Sequence, residues 1–183
     1  MDCSTGIALA TAELSSPSQL FIADLTQATF TPGTPGSWTT TGSQVQTLSE
    51  SVLSKAGPSG IAVAQGTHTG IISDEFGGVS IAAIALPMTS GSGTPMIGDW
   101  VTCAIGGGFS IGDDPHTVTA YQSPNGAKDA IALLVNRGAS TLAKVDLTMM
   151  LNPATVPRTV GGHACATTGG VLPATVVTFT SGP

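Results

Sequence analysis

Asp113-Asp114-Pro115-His116 is the densest polar group in the chain, and Asp99 lies close to it in sequence. Clustered carboxylates can hold Ca²⁺ through their oxygens, and Asp with His can hold a transition metal. The same four residues also make a good surface turn, because Asp favours a turn start and Pro fixes φ. The twelve-residue EF-hand pattern is missing, and the turn is the reading the local sequence favours. Cys103 with His116 has the types needed for a thiol nucleophile and its base. A small core residue beside Val101 and Ile105 is the simpler role for Cys103. The three cysteines, Cys3, Cys103 and Cys165, are odd in number and widely spaced. They form no CxxC or Cys/His ligand pattern, so neither a zinc knuckle nor a disulfide framework is expected.

Other constellations are weaker. A Ser/His/Asp triad can be assembled on paper from His68, His116 or His163, as in almost any sequence. There is no Gly-x-Ser-x-Gly elbow, and triads are defined by geometry rather than by composition. Gly106-Gly107-Gly108 runs into Phe109-Ser110-Ile111 and not into a Gly-Lys-Ser/Thr helix start, so it reads as a bulge or strand end. His68, between Thr67 and Thr69, reads as an ordinary hydrogen-bonded strand histidine. Asp74-Glu75 before Phe76-Gly77-Gly78 reads as a solvated turn. The sequence therefore predicts no catalytic, cofactor-binding or metal-binding residue and no enzyme. Trp100 is expected in the core, while Trp38, among Ser and Thr after a Pro-Gly turn, is either a local cap on the domain's own core or an anchor for a partner.

The elements that hold these residues are built from an unusual composition. Only 9% of the side chains are charged, and no Lys or Arg lies between Lys55 and Lys128. Soluble domains average near a quarter charged. The chain has 26 Thr and 24 Gly against one Tyr and two Trp. So little charge gives weak repulsion between copies, which favours association. Lys128, Arg137, Lys144 and Arg158 in the last third are too few for a phosphate-binding stripe, so direct nucleic-acid binding is not expected. The longest apolar run, Val79 to Leu86, ends at Pro87 and is far shorter than the ~20 residues of a membrane-spanning helix. The start Met1-Asp2-Cys3-Ser4 lacks the positive n-region of a secretory signal.

Residues 1–19 are Ser/Thr/Ala-rich without strong periodicity and are expected to form an extended N-terminal arm, with residues 20–183 as one domain. Leu20 to Thr31 reads as a strand, followed by Pro-Gly turns. Ser43 to Ala56 places Val45, Leu48, Val52 and Ala56 on one helical face, with Ser43 as N-cap and Gly57-Pro58 as stop; a strand over Ser51 to Lys55 is the alternative. From Ile61 onward, strands are expected at Ile61–Gln65, Thr69–Ser73, Val79–Leu86, Trp100–Ile105, Thr117–Gln122, Ala130–Val135, Leu142–Met149 and Thr175–Thr180. Alternation is clearest where Ala143, Val145, Leu147 and Met149 oppose Lys144, Asp146 and Thr148. Asn136-Arg137-Gly138-Ala139 supplies the preceding hairpin turn.

Many short strands with Gly-rich turns predict an all-β fold: a single antiparallel β-sandwich, jelly-roll-like, or a barrel. In composition and architecture alone, the chain resembles bacteriophage capsid decoration (cement) proteins and related head or tail components. That resemblance implies a structural virion protein, made in the host cytoplasm, with no cofactor. It would contact capsid or other virion subunits as a homo-oligomer or multi-copy lattice. An extracellular adhesion or carbohydrate-binding module, with Trp38 and Tyr121 as stacking platforms, is the alternative; a small hydrolase is the third reading.

Overall fold

Runs of Ile, Val, Ala and Thr between Gly- and Pro-containing turns favour strands, because β-branched side chains pack well on a pleated surface. The computed structural model describes residues 1–12, 19–30, 38–40, 43–47, 58–74, 80–87, 90–91, 93–98, 100–105, 115–122, 130–147, 162–164, 171–172 and 174–179. Within them the chain is all-β. The strands are β1 (Ile7–Ala12), β2 (Gln19–Asp24), β3 (Ala28–Phe30), β4 (Trp38–Thr40), β5 (Ser43–Thr47), β6 (Pro58–Ala64), β7 (Thr69–Asp74), β8 (Ser80–Ala85), β9 (Trp100–Ile105), β10 (Pro115–Gln122), β11 (Ala130–Asn136), β12 (Thr141–Asp146), β13 (Gly162–Ala164), β14 (Val171–Leu172) and β15 (Ala174–Thr178). A three-residue 3₁₀ turn, Leu25–Gln27, separates β2 from β3.

The largest sheet runs β13-β9-β8-β7-β6, antiparallel from β9 to β6. At its far edge, β13 and β14 both pair with β9 in parallel. A second, four-stranded sheet runs β10-β11-β12-β15, antiparallel throughout. A third has the order β1-β2-β5, and β3-β4 form a short separate ladder with Phe30 opposite Trp38. The described strands do not close into a barrel.

Alternation along the central strands sorts side chains into two cores. Ile71, Ile81, Ala83, Val101, Cys103 and Ile105 face Val118, Ala132, Leu134, Ala143 and Val145 of the four-stranded sheet. Their neighbours Ile72, Ala82 and Ile84 point the other way, into a cluster with Leu20 of β2 and Leu9 of β1. Adjacent Ile71 and Ile72 are both fully buried. A sheet covered on both faces is built from strands that read as continuous apolar runs, and β8, Ser-Ile-Ala-Ala-Ile-Ala, is such a run. Each fully buried Ile or Leu contributes about 1.5–3 kcal/mol through the area it removes from water.

Three sequence expectations give way here. The helix over Ser43 to Ala56 is replaced at its start by β5, where Phe21 pairs with Val45 and Leu20 with Gln46. Ladder pairing with β2 outweighs a modest helical pattern made partly of β-branched and Gln/Ser residues; residues 48–57, including the alternative strand, lie outside the described residues. The strand expected from Leu20 to Thr31 is broken by the 3₁₀ turn, which Asp24 caps by accepting from the Thr26 N–H. The N-terminal segment is not an extended arm over its described residues. β1 pairs along its whole length with β2, and Ile7 and Asp2 are fully buried. Few large side chains suffice because Leu9 closes over Gly70, where an added Cβ would lie 2.5 Å from Leu9 Cδ1.

Candidate functional site

Two buried carboxylates, neither singled out by the sequence, fasten the β1-β2 layer to its surroundings. Asp2 Oδ1 accepts from the Ser4 N–H at 2.9 Å and the Ser4 hydroxyl at 2.6 Å, and Oδ2 meets His68 Nδ1 at 2.8 Å. Around it, Gln65 takes the Cys3 N–H on Oε1 and donates from Nε2 to the Met1 carbonyl. Gly6, at φ +73° and tight against Thr26, turns the chain into β1 where a side chain would be strained. Burial alone would raise the Asp2 pKa. The hydrogen bonds from Ser4 and His68, with the charge of His68, outweigh it and hold the carboxyl below its ordinary value.

Asp24 is held more firmly. Oδ1 accepts from the Thr26 N–H at 2.9 Å and hydroxyl at 2.6 Å, while Oδ2 accepts from Gln27 Nε2 at 2.8 Å and the Gly91 N–H at 2.5 Å. Gln27 also donates to the Gly93 carbonyl. Burial opposes ionisation, yet these donors bring the pKa down to about 2. Both carboxylates spend their lone pairs on the protein itself, so they act as clasps rather than as acid–base groups.

Among the described residues, those singled out for chemistry are not brought together. Pro115 and His116 open β10, while Asp99, Asp113, Asp114, Glu75 and Gly106–Gly108 lie outside the described residues. His68 is not in a strand; it sits at φ +50° in the turn between β6 and β7, bound to Asp2. His163 lies in β13, beside Val101 in the ladder. Asp74 ends β7 fully buried, not in a solvated turn. Among the described residues no three His, Cys, Asp or Glu side chains gather as metal ligands. Trp100 packs against the second core cluster as expected. Trp38 is placed in β4.

Cys103 is a core residue as expected, 2% exposed, and it is also disulfide-bonded, a single bridge where the sequence speaks only against a disulfide framework. Spacing rules find disulfides in compact cysteine frameworks, and a single bridge among three widely spaced cysteines leaves no such signature.

The feature with the clearest capacity to bind is the outer face of the four-stranded sheet. Its inner face is closed by Ala132, Leu134, Ala143 and Val145, all fully buried. On the outer face, Val135, Leu142 and Val177 stand in one row across β11, β12 and β15. Val135 is 51% exposed, Val177 50% and Phe179, just beyond β15, 57%. Ile131 and Leu133 are half-buried on the same face, with Lys144, Asp146 and Thr175 exposed beside them. Most of the face was legible as strand alternation; its apolar character is carried by β11, Ala-Ile-Ala-Leu-Leu-Val-Asn, which has few polar alternates. No protein-family model, curated protein or solved structure matches the chain.

Proposed function

We propose that the protein is a structural, non-catalytic subunit of a multi-copy assembly, a virion component of the capsid-decoration or head/tail kind. In this reading the four-stranded and central sheets form a sandwich whose outer face lies against neighbouring shell subunits. The observation that carries it is β11. Its composition is that of a strand buried on both faces, yet only its inward set, Ala132, Leu134 and Asn136, is buried while Val135 stands open. A contiguous apolar patch edged by polar residues is the usual mark of a protein contact. With 9% charge, little on the surface would repel an adjoining subunit. Burial repeated over many copies would then stabilise the lattice through linked binding.

The test is made on particles from the phage or prophage that carries the gene. The expected result is that the protein co-sediments with purified particles through a density gradient at a constant copy number. Particles carrying the Val135→Lys/Val177→Lys chain should lose it on washing. Particles that lack the protein altogether would overturn the virion reading. Retention of the double variant at the normal copy number would move the contact to another face.

A further inference from the structure

The bridge at Cys103 has one available partner. The chain holds three cysteines, and Cys3 is an exposed free thiol. That leaves Cys165, which lies outside the described residues, as the remaining sulfur in the same chain. The register of the sheet edge points to it independently. β13 runs parallel to β9 with Gly162 beside Trp100, His163 beside Val101 and Ala164 beside Thr102. Cys165 follows directly on Ala164, the last paired residue of β13, and Cys103 follows directly on Thr102, the residue beside it. Cys103 itself points into the core between the two larger sheets.

We propose that Cys103 and Cys165 are joined in an oxidative lock that fastens the β13–β14 edge to β9, and that the chain does its work outside a reducing cytosol. The edge needs a fastener. β13 and β14 contribute three and two paired residues, in the parallel arrangement that is slightly the weaker per residue. A cross-link between positions 103 and 165 closes a long loop, the case in which a bridge most restricts the unfolded chain. The chemistry is thiol–disulfide exchange with a small disulfide oxidant such as oxidised glutathione. One protein thiolate attacks the oxidant and releases one thiol, then the second displaces the other. Two protein thiols and one small disulfide become one protein disulfide and two small thiols. Such bridges persist in oxidising surroundings and are rare in the cytosol. This inference rests on β9, β13 and the cysteine inventory, and stands apart from any role in a virion.

The test is thiol counting on the full chain. After equilibration with oxidised glutathione, unfolded but unreduced protein should take up one alkylating group, on Cys3, and three after reduction. Trypsin cuts after Lys55, Lys128 and Arg158, so each cysteine falls in a different fragment. The unreduced digest should contain residues 56–128 joined to residues 159–183. Three alkylatable thiols before reduction, or a cross-link to the fragment holding Cys3, would overturn the pairing. The Cys165→Ser variant and the reduced natural chain should both melt lower, by on the order of 10 °C, and reductant should not lower the variant further. Cys103→Ala repeats this measurement without placing a hydroxyl in the core. An unchanged melting temperature on reduction would remove the proposed locking role. Chain alkylated inside a reducing cytosol should carry three labels. A single label there would overturn the assignment to an oxidising setting.

Discussion

β8 and β11 are nearly interchangeable as sequences, Ser-Ile-Ala-Ala-Ile-Ala against Ala-Ile-Ala-Leu-Leu-Val-Asn, but they have different surroundings. Ile81, Ala82, Ala83 and Ile84 of β8 are all buried, because the β1-β2 layer covers one face of the central sheet and the four-stranded sheet covers the other. In β11 only one set of alternate residues is enclosed. An apolar run states how many faces a strand must hide; it does not state whether the cover comes from the same chain. Where the described residues leave a face open, the run is what the proposed assembly contact rests on.

The contrast can be broken most strongly from inside. Ile72→Ala on the β1-β2 side and Leu134→Ala on the side of the four-stranded sheet each remove a fully buried side chain. Each should cost about 2–5 kcal/mol in denaturant titrations. A loss well under that range for Ile72→Ala would mean that the β1-β2 layer covers the central sheet only loosely. Removing a clasp of that layer has the next largest effect. Asp24→Ala strips the cap from the 3₁₀ turn and removes the carboxylate to which the Gly91 N–H and the Gln27 amide donate. The expected cost is about 1–3 kcal/mol, read from the shift in the urea midpoint.

Acid should loosen the same layer gradually. Asp24 titrates at about 2 when folded against an ordinary 3.8, so the unfolded chain takes up its proton more readily. Its stabilisation is complete above 3.8 and is lost as pH falls through about 2. Asp2, lowered in the same direction, adds to the loss with the same sign. Urea midpoints measured down the acid range should fall, and Asp24→Asn should flatten the slope; a slope unchanged by that substitution would separate Asp24 from the effect. The smallest change in folding belongs to the open face. Val135→Lys with Val177→Lys should move the stability of the free protein by no more than about 0.5 kcal/mol. A larger loss would show that the face is already covered in solution.

Much of this contrast was readable in the sequence. Trp100–Ile105 is a strand as expected, and Ala143, Val145 and Leu147 turn inward against Lys144 and Asp146. The Asn136 hairpin was legible too, with Asn136 Nδ2 donating to the Thr141 hydroxyl. These features are set by local period and turn chemistry. Less legible were the features fixed by distant partners. Asp2 belongs to a clasp only because the turn at His68 comes back to it. Ser43–Thr47 became a strand because β2 offered an edge. Nothing near Cys103 in sequence announces a bridge.

The order in which the strands emerge has a consequence for synthesis. β9 waits for β13 and β14, and β12 waits for β15, all drawn from the last stretch of the chain. About 60 residues separate the end of β9 from the start of β13, so translation at ~5–20 residues/s leaves that edge open for several seconds. Contacts so distant along the chain also form slowly. A newborn chain therefore carries two unfinished sheet edges at once. Ribosome stalling or premature termination before residue 162 should produce sticky, aggregation-prone products rather than a smaller folded domain.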